Sequence, residues 1–377
     1  MKSSIECDEA PGLYIHIPFC KTKCPYCDFY SVTDLSLVSI WLDVLQEEMS
    51  FYNTDFIAFD SLYLGGGTPT LLSNQQIECL LNNLRSHFVF LPGTEITVEA
   101  NPDDMTAGKL EALRAIGVNR LSIGVQSFNE KELMFLNRRH TGYDADKAVR
   151  LAKSCGFFNI GIDLMYGFPG QTKESWLETM EKAVRFEPTH LSCYQFTLKE
   201  TTPYGRLKTE GKLKSIGEEK ERTFFLLTSQ FLKKHGFIHY EVSNFAKEKR
   251  YFSRHNQKYW HHVPYLGLGP AAHSFKDGVR WWNCRSVEGY CRLLARGEKP
   301  VEGSETLSPE QLRLERLYLG FRTESGVSIN DACGSPSMTQ VLSQLKRSGF
   351  VKILNGRIIP TRKGYLIADR LPLMFAE

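Results

Sequence analysis

Net charge is almost absent from this sequence. Against 43 aspartates and glutamates stand 46 lysines and arginines, a formal +3 over 377 residues. That imbalance is too small for the basic surface a nucleic-acid partner requires, so none is expected. Long apolar runs are missing too. None approaches the length of a membrane span, and no transmembrane segment is expected. The opening residues, MKSSIECDEAPG, contain no apolar stretch of the kind that directs secretion, which makes a cytoplasmic location the expectation. In a reducing compartment ten cysteines do not imply disulfides. Low-complexity tracts are lacking, and so are the paired cysteine knuckles of common zinc sites. Cys7, Cys79, Cys155, Cys193 and Cys333 stand alone, and Cys284 and Cys291 are a loose pair without metal-ligand spacing. Each reads as a small buried or incidental thiol.

What is there is one dense triplet. Cys20, Cys24 and Cys27 form C-x3-C-x2-C directly after a β-rich run, Leu13 to Ile17. Three thiolates so close together suit a metal or an iron–sulfur cluster, with one coordination position left for something other than cysteine. One reading is zinc with His16 as fourth ligand. The other is a four-iron, four-sulfur cluster with one iron free of protein ligands.

The rest of the chain alternates strands and helices. Strands are expected at Leu13 to Ile17, Ser61 to Leu64, Glu95 to Ala100, Arg120 to Val125, Asn159 to Met165 and His190 to Phe196, with a seventh at His239 to Ser243. Ser73 and Gln76 read as a capping box, and Gly117, Gly156 and Gly236 as helix C-caps. Six such units predict an α/β fold, an open (βα)6 partial TIM barrel, with every strand-to-helix loop at one end. The cysteines, Gly65-Gly66-Gly67-Thr68, Glu99-Ala100-Asn101-Pro102, Gln126 and the DLMYGFPGQT loop all fall at strand C-terminal ends, the catalytic face of a barrel. A doubly wound open sheet would cluster them equally, so the geometry does not name the chemistry. The expected division is residues 1–236 for the barrel, 237–300 for a connecting region and 301–377 for an α+β winged-helix-like domain. In that last domain two helices precede a hairpin turning at Asn355-Gly356.

The triple glycine lets backbone approach a small zwitterion, with exposed N–H groups for its carboxylate. A tight strand-to-helix turn is the plainer reading. Glu99 and Asp163, ending strands, suit an ammonium group or ribose hydroxyls; a solvated loop acid is the alternative.

Taken in order, CKTKCPYC after YIHIPF, GGGTPT, VEANP, SIGVQSF and DLMYGFPGQT resemble the radical S-adenosylmethionine (SAM) superfamily, and within it the anaerobic coproporphyrinogen oxidase-like family. The resemblance covers nearly the whole chain. It implies Cys20, Cys24 and Cys27 as ligands of a four-iron, four-sulfur cluster. Tyr14, Tyr26, Gly66, Gly67, Thr68, Glu99, Gln126, Arg138 and Asp163 would line the SAM site, with Arg139 a rival for Arg138. Two subgroups share these motifs. Coproporphyrinogen dehydrogenases carry a further cysteine where this chain has Phe29, and a longer N-terminal extension. The HemW-type heme chaperones have the phenylalanine and an H-N-x-x-Y-W motif, read here as His255 to Trp260. That subgroup implies heme binding, with His255 as ligand and His261, His262 and His273 as rivals. It also implies transfer of heme to an acceptor protein, and an electron donor for the cluster. The alternatives are an oxygen-independent coproporphyrinogen III oxidase and, from another class, a zinc-binding scaffold.

Overall fold

The computed structural model describes residues 10–375 of the chain; Cys7 lies outside the described residues. The first half alternates as the sequence implies: β1 (Gly12–Ile17), α1 (Val38–Ser50), β2 (Ala58–Gly66), α2 (Asn74–His87), β3 (Val89–Ala100), α3 (Ala107–Ala115), β4 (Arg120–Gln126), α4 (Glu130–Phe135), α5 (Gly142–Ser154), β5 (Asn159–Tyr166), α6 (Lys173–Arg185) and β6 (His190–Gln195). The local signals hold. The Ser73–Gln76 capping box opens α2, and Gly117, Gly156 and Gly236 take the positive φ that ends a helix. Strands β1 to β6 lie side by side in chain order, every neighbouring pair parallel, which is the expected open six-stranded barrel.

The sheet does not stop there. After α7 (Pro203–Thr209) and α8 (Glu218–Lys234) come β7 (Ile238–Glu241) and β8 (Asn244–Ala246), which extend the β6 edge antiparallel. The short helix α9 (Arg254–Trp260) follows. Next, β9 (Tyr265–Leu268) joins β1 in parallel, and β10 (His273–Lys276), β11 (Val279–Asn283) and, after α10 (Val287–Leu294), β12 (Val301–Thr306) continue antiparallel. Among the described residues this makes one twelve-stranded sheet. Residue 236 therefore precedes strands of the same sheet, and residue 300 precedes its edge strand.

Strand alternation divides the faces. Leu13, Ile15, Ile17, Leu62, Leu64, Leu121, Ile123, Ile162 and Leu164 are buried with Trp41, Leu45, Leu81, Trp176 and Met180 of the helices, each contributing about 2 kcal/mol by burial. The other face turns Tyr14, His16, Tyr63, Glu99, Ser122 and Asp163 inward. A closed TIM barrel fills that space with branched apolar side chains; this interior is polar.

A second core gathers Leu317, Phe321, Val327, Met338, Leu342, Leu345 and Ile358. Its elements are α11 (Pro309–Gly320), β13 (Val327–Ser328), α12 (Ile329–Ala332), α13 (Pro336–Arg347), β14 (Val351–Leu354), β15 (Arg357–Pro360) and α14 (Arg362–Tyr365). Helix, strand, two helices and a hairpin in that order, with the sheet ordered β13-β15-β14, is a winged-helix arrangement. Asn355 and Gly356 both take positive φ at the hairpin turn. Among the described residues no helix is long and apolar enough to cross a membrane.

Candidate functional site

The cysteine loop leaves the C-terminal end of β1 and is seated on the glycine turn after β2. Gly67 N–H donates to the Ile17 carbonyl (2.8 Å) and Thr68 N–H to that of Phe19 (2.7 Å). A Cβ on Gly67 would stand 2.5 Å from the Phe19 carbonyl oxygen and 2.7 Å from that of Ile17, so no larger residue fits. The third N–H, of Gly66, donates to Glu99 Oε2 at 3.1 Å. The expectation that these N–H groups stand exposed for a ligand carboxylate is thus corrected at Gly66, Gly67 and Thr68: the protein itself accepts from each of them, and the turn holds the cysteine loop.

Polar donors meet the sulfurs. Thr68 Oγ1 lies 3.6 Å from Cys20 Sγ, and Arg138 Nη1 lies 3.7 Å from Cys24 Sγ. Asn101 links the two, donating to Thr68 Oγ1 (3.2 Å) and accepting from Arg138 Nη2 (2.6 Å). Burial, reinforced by the neighbouring Cys24 and Cys20, pushes the Cys27 thiol up to about 11; a thiolate here needs a metal centre beside it. Among the described residues no three His, Cys, Asp or Glu side chains close round a single metal ion. His16, the fourth ligand of the zinc reading, has both ring nitrogens engaged, with the Tyr14 hydroxyl (3.0 Å) and the Tyr30 carbonyl (2.8 Å).

Above the loop opens a cavity of about 560 Å³. Tyr26, Cys27, Gly66, Gly67, Thr68, Glu99, Gln126, Arg138 and Asp163 all line it. Arg139 points elsewhere, pairing with Asp103 and Asp104. Tyr63 donates to Glu99 Oε1 (2.8 Å), and burial raises the Glu99 carboxyl to about 7. Ser122 donates to Asp163 Oδ2 (2.9 Å). Gln126 takes φ +64° where β4 slips register against β5. Asp163 Oδ1 and Arg138 Nε are buried without hydrogen-bond partners, as befits a wall built for a polar ligand. Tyr63, Ser122 and Tyr194 also line this cavity. Sequence reasoning missed them, though Tyr63 and Ser122 alternate with buried leucine or isoleucine along their strands and Tyr194 follows the buried Cys193.

Tyr14 lies apart from this group. Beside β1 the sheet extension makes a second cavity of about 510 Å³, walled by Tyr14, Tyr259, Tyr265, His273 and Trp282 among others. Asp28 and Phe29 line both cavities. His255 lines neither. It is buried beneath the barrel interior, with Nδ1 3.2 Å from Ser61 Oγ and Nε2 2.8 Å from the Tyr259 hydroxyl, and burial pushes its pKa down to about 3. His262 faces Glu315 at 3.7 Å, and His261 approaches Ser325.

Residues 14–183 match the model of the radical SAM superfamily. Over 370 residues the chain is 33% identical to heme chaperone HemW of Bacillus subtilis, covering 95% of this chain and 97% of that protein. The chain belongs to the HemW family of radical SAM proteins. The HemW of Escherichia coli is 37% identical over 82% of both chains. Among solved structures, coproporphyrinogen III oxidase (HemN) from Escherichia coli superposes with a TM-score of 0.83 at 25% identity, over 97% of this chain and 90% of that one. Radical SAM membership implies a four-iron, four-sulfur cluster and SAM. The residues of this HemW-family chain fit both: three neighbouring thiols, two of them met by donors, below a cavity with an unpartnered carboxylate oxygen and guanidinium nitrogen.

Proposed function

We propose that this protein is a heme-binding radical SAM protein that passes heme to an acceptor protein in the cytoplasm. Cys20, Cys24 and Cys27 hold the cluster, and the 560 Å³ cavity takes SAM. A reduced cluster with SAM bound supplies one-electron cleavage of a carbon–sulfur bond. The chain's own part is to place donors on two sulfurs through Thr68 and Arg138 and to hold Glu99 and Asp163 at the cavity wall, where partial burial raises both carboxyls. The carrying observation is the aromatic cavity next door, joined to the SAM cavity through Asp28 and Phe29. Its size falls within the range of cofactor sites. The names of the HemW relatives support the same reading, and free thiols at every described cysteine agree with a reducing compartment. Anaerobic titration of cluster-reconstituted protein with hemin, with and without SAM, is expected to give a saturable Soret band. Non-saturable absorbance sinks the reading.

The likeness to HemN favours a second reading, SAM-dependent oxidative decarboxylation of coproporphyrinogen III. Phe29, 68% exposed at the junction of the cavities, stands where the dehydrogenases carry their additional cysteine. An anaerobic assay with SAM and a reductant decides it, since SAM cleavage without protoporphyrinogen excludes the oxidase.

A further inference from the structure

From the geometry of the second cavity we infer that His273, not His255, is the axial ligand of heme, and that His255 acts through Tyr259 to set the cavity wall. This rests on the heme-binding reading above and names its site.

His273 sits on β10 facing the cavity, exposed, with its ring stacked on Trp282 at 6.0 Å. Among the described residues neither of its ring nitrogens makes a hydrogen bond. Partial burial and the nearby Arg280 and Arg285 depress its pKa, so at neutral pH the imidazole presents a free lone pair. The other histidine of the cavity, His16, has both nitrogens committed to Tyr14 and Tyr30. Tyr14, Tyr265 and Trp282 supply ring faces suited to a porphyrin plane. Arg285, whose Nη2 donates to the Asp28 carbonyl at 2.9 Å, stands at the same cavity as a cation for propionates. Asp28 and Glu302 line it as well.

His255 offers the opposite picture. Both its nitrogens are engaged, and ligation through Nε2 requires expelling the Tyr259 hydroxyl. Tyr259, however, lines the cavity, packs edge-on against Tyr265 at 4.5 Å and is fixed by that hydrogen bond. The first and fifth residues of H-N-x-x-Y-W are one helical turn apart in α9, so the histidine holds the tyrosine in place.

The experiment is hemin titration of the full-length, cluster-reconstituted chain as wild type, His273→Ala, His255→Ala, Tyr259→Phe and the His255→Ala/Tyr259→Phe double variant, read by Soret position and low-spin EPR. His273→Ala is expected to lose the histidine-ligated spectrum and to regain it when imidazole is added. His255→Ala is expected to keep that spectrum with Kd raised about threefold to tenfold, as is Tyr259→Phe, and the double variant to weaken binding no further. Thermal melting checks that each variant folds. A wild-type spectrum in His273→Ala, or an imidazole-rescued loss in His255→Ala, overturns the assignment and leaves heme binding standing. Failure of the wild type to bind hemin saturably overturns heme binding itself, and this assignment with it.

Discussion

Arg138 and Cys24, 114 positions apart in the chain, meet at 3.7 Å between Nη1 and Sγ. The same guanidinium reaches back through Nη2 to Asn101 Oδ1 at 2.6 Å and the Gly124 carbonyl at 2.8 Å. One side chain therefore ties the cysteine loop to the ends of β3 and β4 and places a fixed positive charge beside a sulfur. Arg138→Gln removes that charge and part of the fork. Loss of a charge-assisted hydrogen bond costs about 2 kcal/mol, and a cluster without its neighbouring cation becomes harder to reduce. Chemical denaturation and a redox titration of the reconstituted cluster check both. An unchanged midpoint potential contradicts the assignment.

Gly67→Ala and Gly108→Ala form a matched pair. At Gly67 the new methyl meets two backbone carbonyls of the cysteine loop below 3 Å; at Gly108, in α3, it meets nothing within 4 Å. The first is expected to lose most of its bound iron and visible absorbance after reconstitution. The second is expected to keep them and gain about 0.5–1 kcal/mol of stability. Iron assays and melting curves report both.

Glu48 gives a pH signature from beneath the second cavity, whose wall includes its partner Asn283. It is fully buried, accepts from Gly269 N–H (2.8 Å), Asn283 and Tyr290, and burial raises its carboxyl from 4.5 to about 7. The folded state keeps this proton where the unfolded chain has released it. The stabilisation is complete below about 4.5 and disappears as pH rises through about 7, a loss of roughly 3 kcal/mol. Glu48→Gln should flatten the fall in stability between pH 5 and 8. A slope identical to wild type assigns the dependence to other groups, Glu99 first among them.

Phe29 is 68% exposed yet lines both cavities. Phe29→Ala should leave stability within about 0.5 kcal/mol while hemin and SAM both dissociate about threefold to tenfold faster. Stopped-flow release measures this. An effect on one ligand alone would show that Phe29 does not form a shared wall.

The sequence disclosed the barrel well because its signals are local. Apolar alternation, a capping box at Ser73–Gln76 and glycine stops at Gly117, Gly156 and Gly236 each act within a few residues. The strand expected at His239 to Ser243 overlaps β7 (Ile238–Glu241), but the extension from β8 to β12 was illegible for the opposite reason: strands of three to six residues find their partners far away, as Tyr265 does against Gly12. Helices α4 and α7, of six and seven residues, are too short to show a period. At the site, the cysteines, Glu99 and Asp163 stood out as chemistry at strand ends. Tyr63 did not, because a tyrosine between two leucines reads as ordinary strand. The H-N-x-x-Y-W motif suggested His255 as a heme ligand by resemblance, whereas the bond from His255 to Tyr259 and the burial of its ring exist only in three dimensions.

One chain is expected to hold a cluster and heme in adjoining cavities at the same time. Non-heme iron, acid-labile sulfide and pyridine hemochrome should be measured on a single anaerobically reconstituted, hemin-saturated and desalted sample. The expected result is about four non-heme irons, about four sulfides and about one heme per chain. Heme that binds only as iron and sulfide are lost, or a loaded cluster that excludes heme, contradicts it.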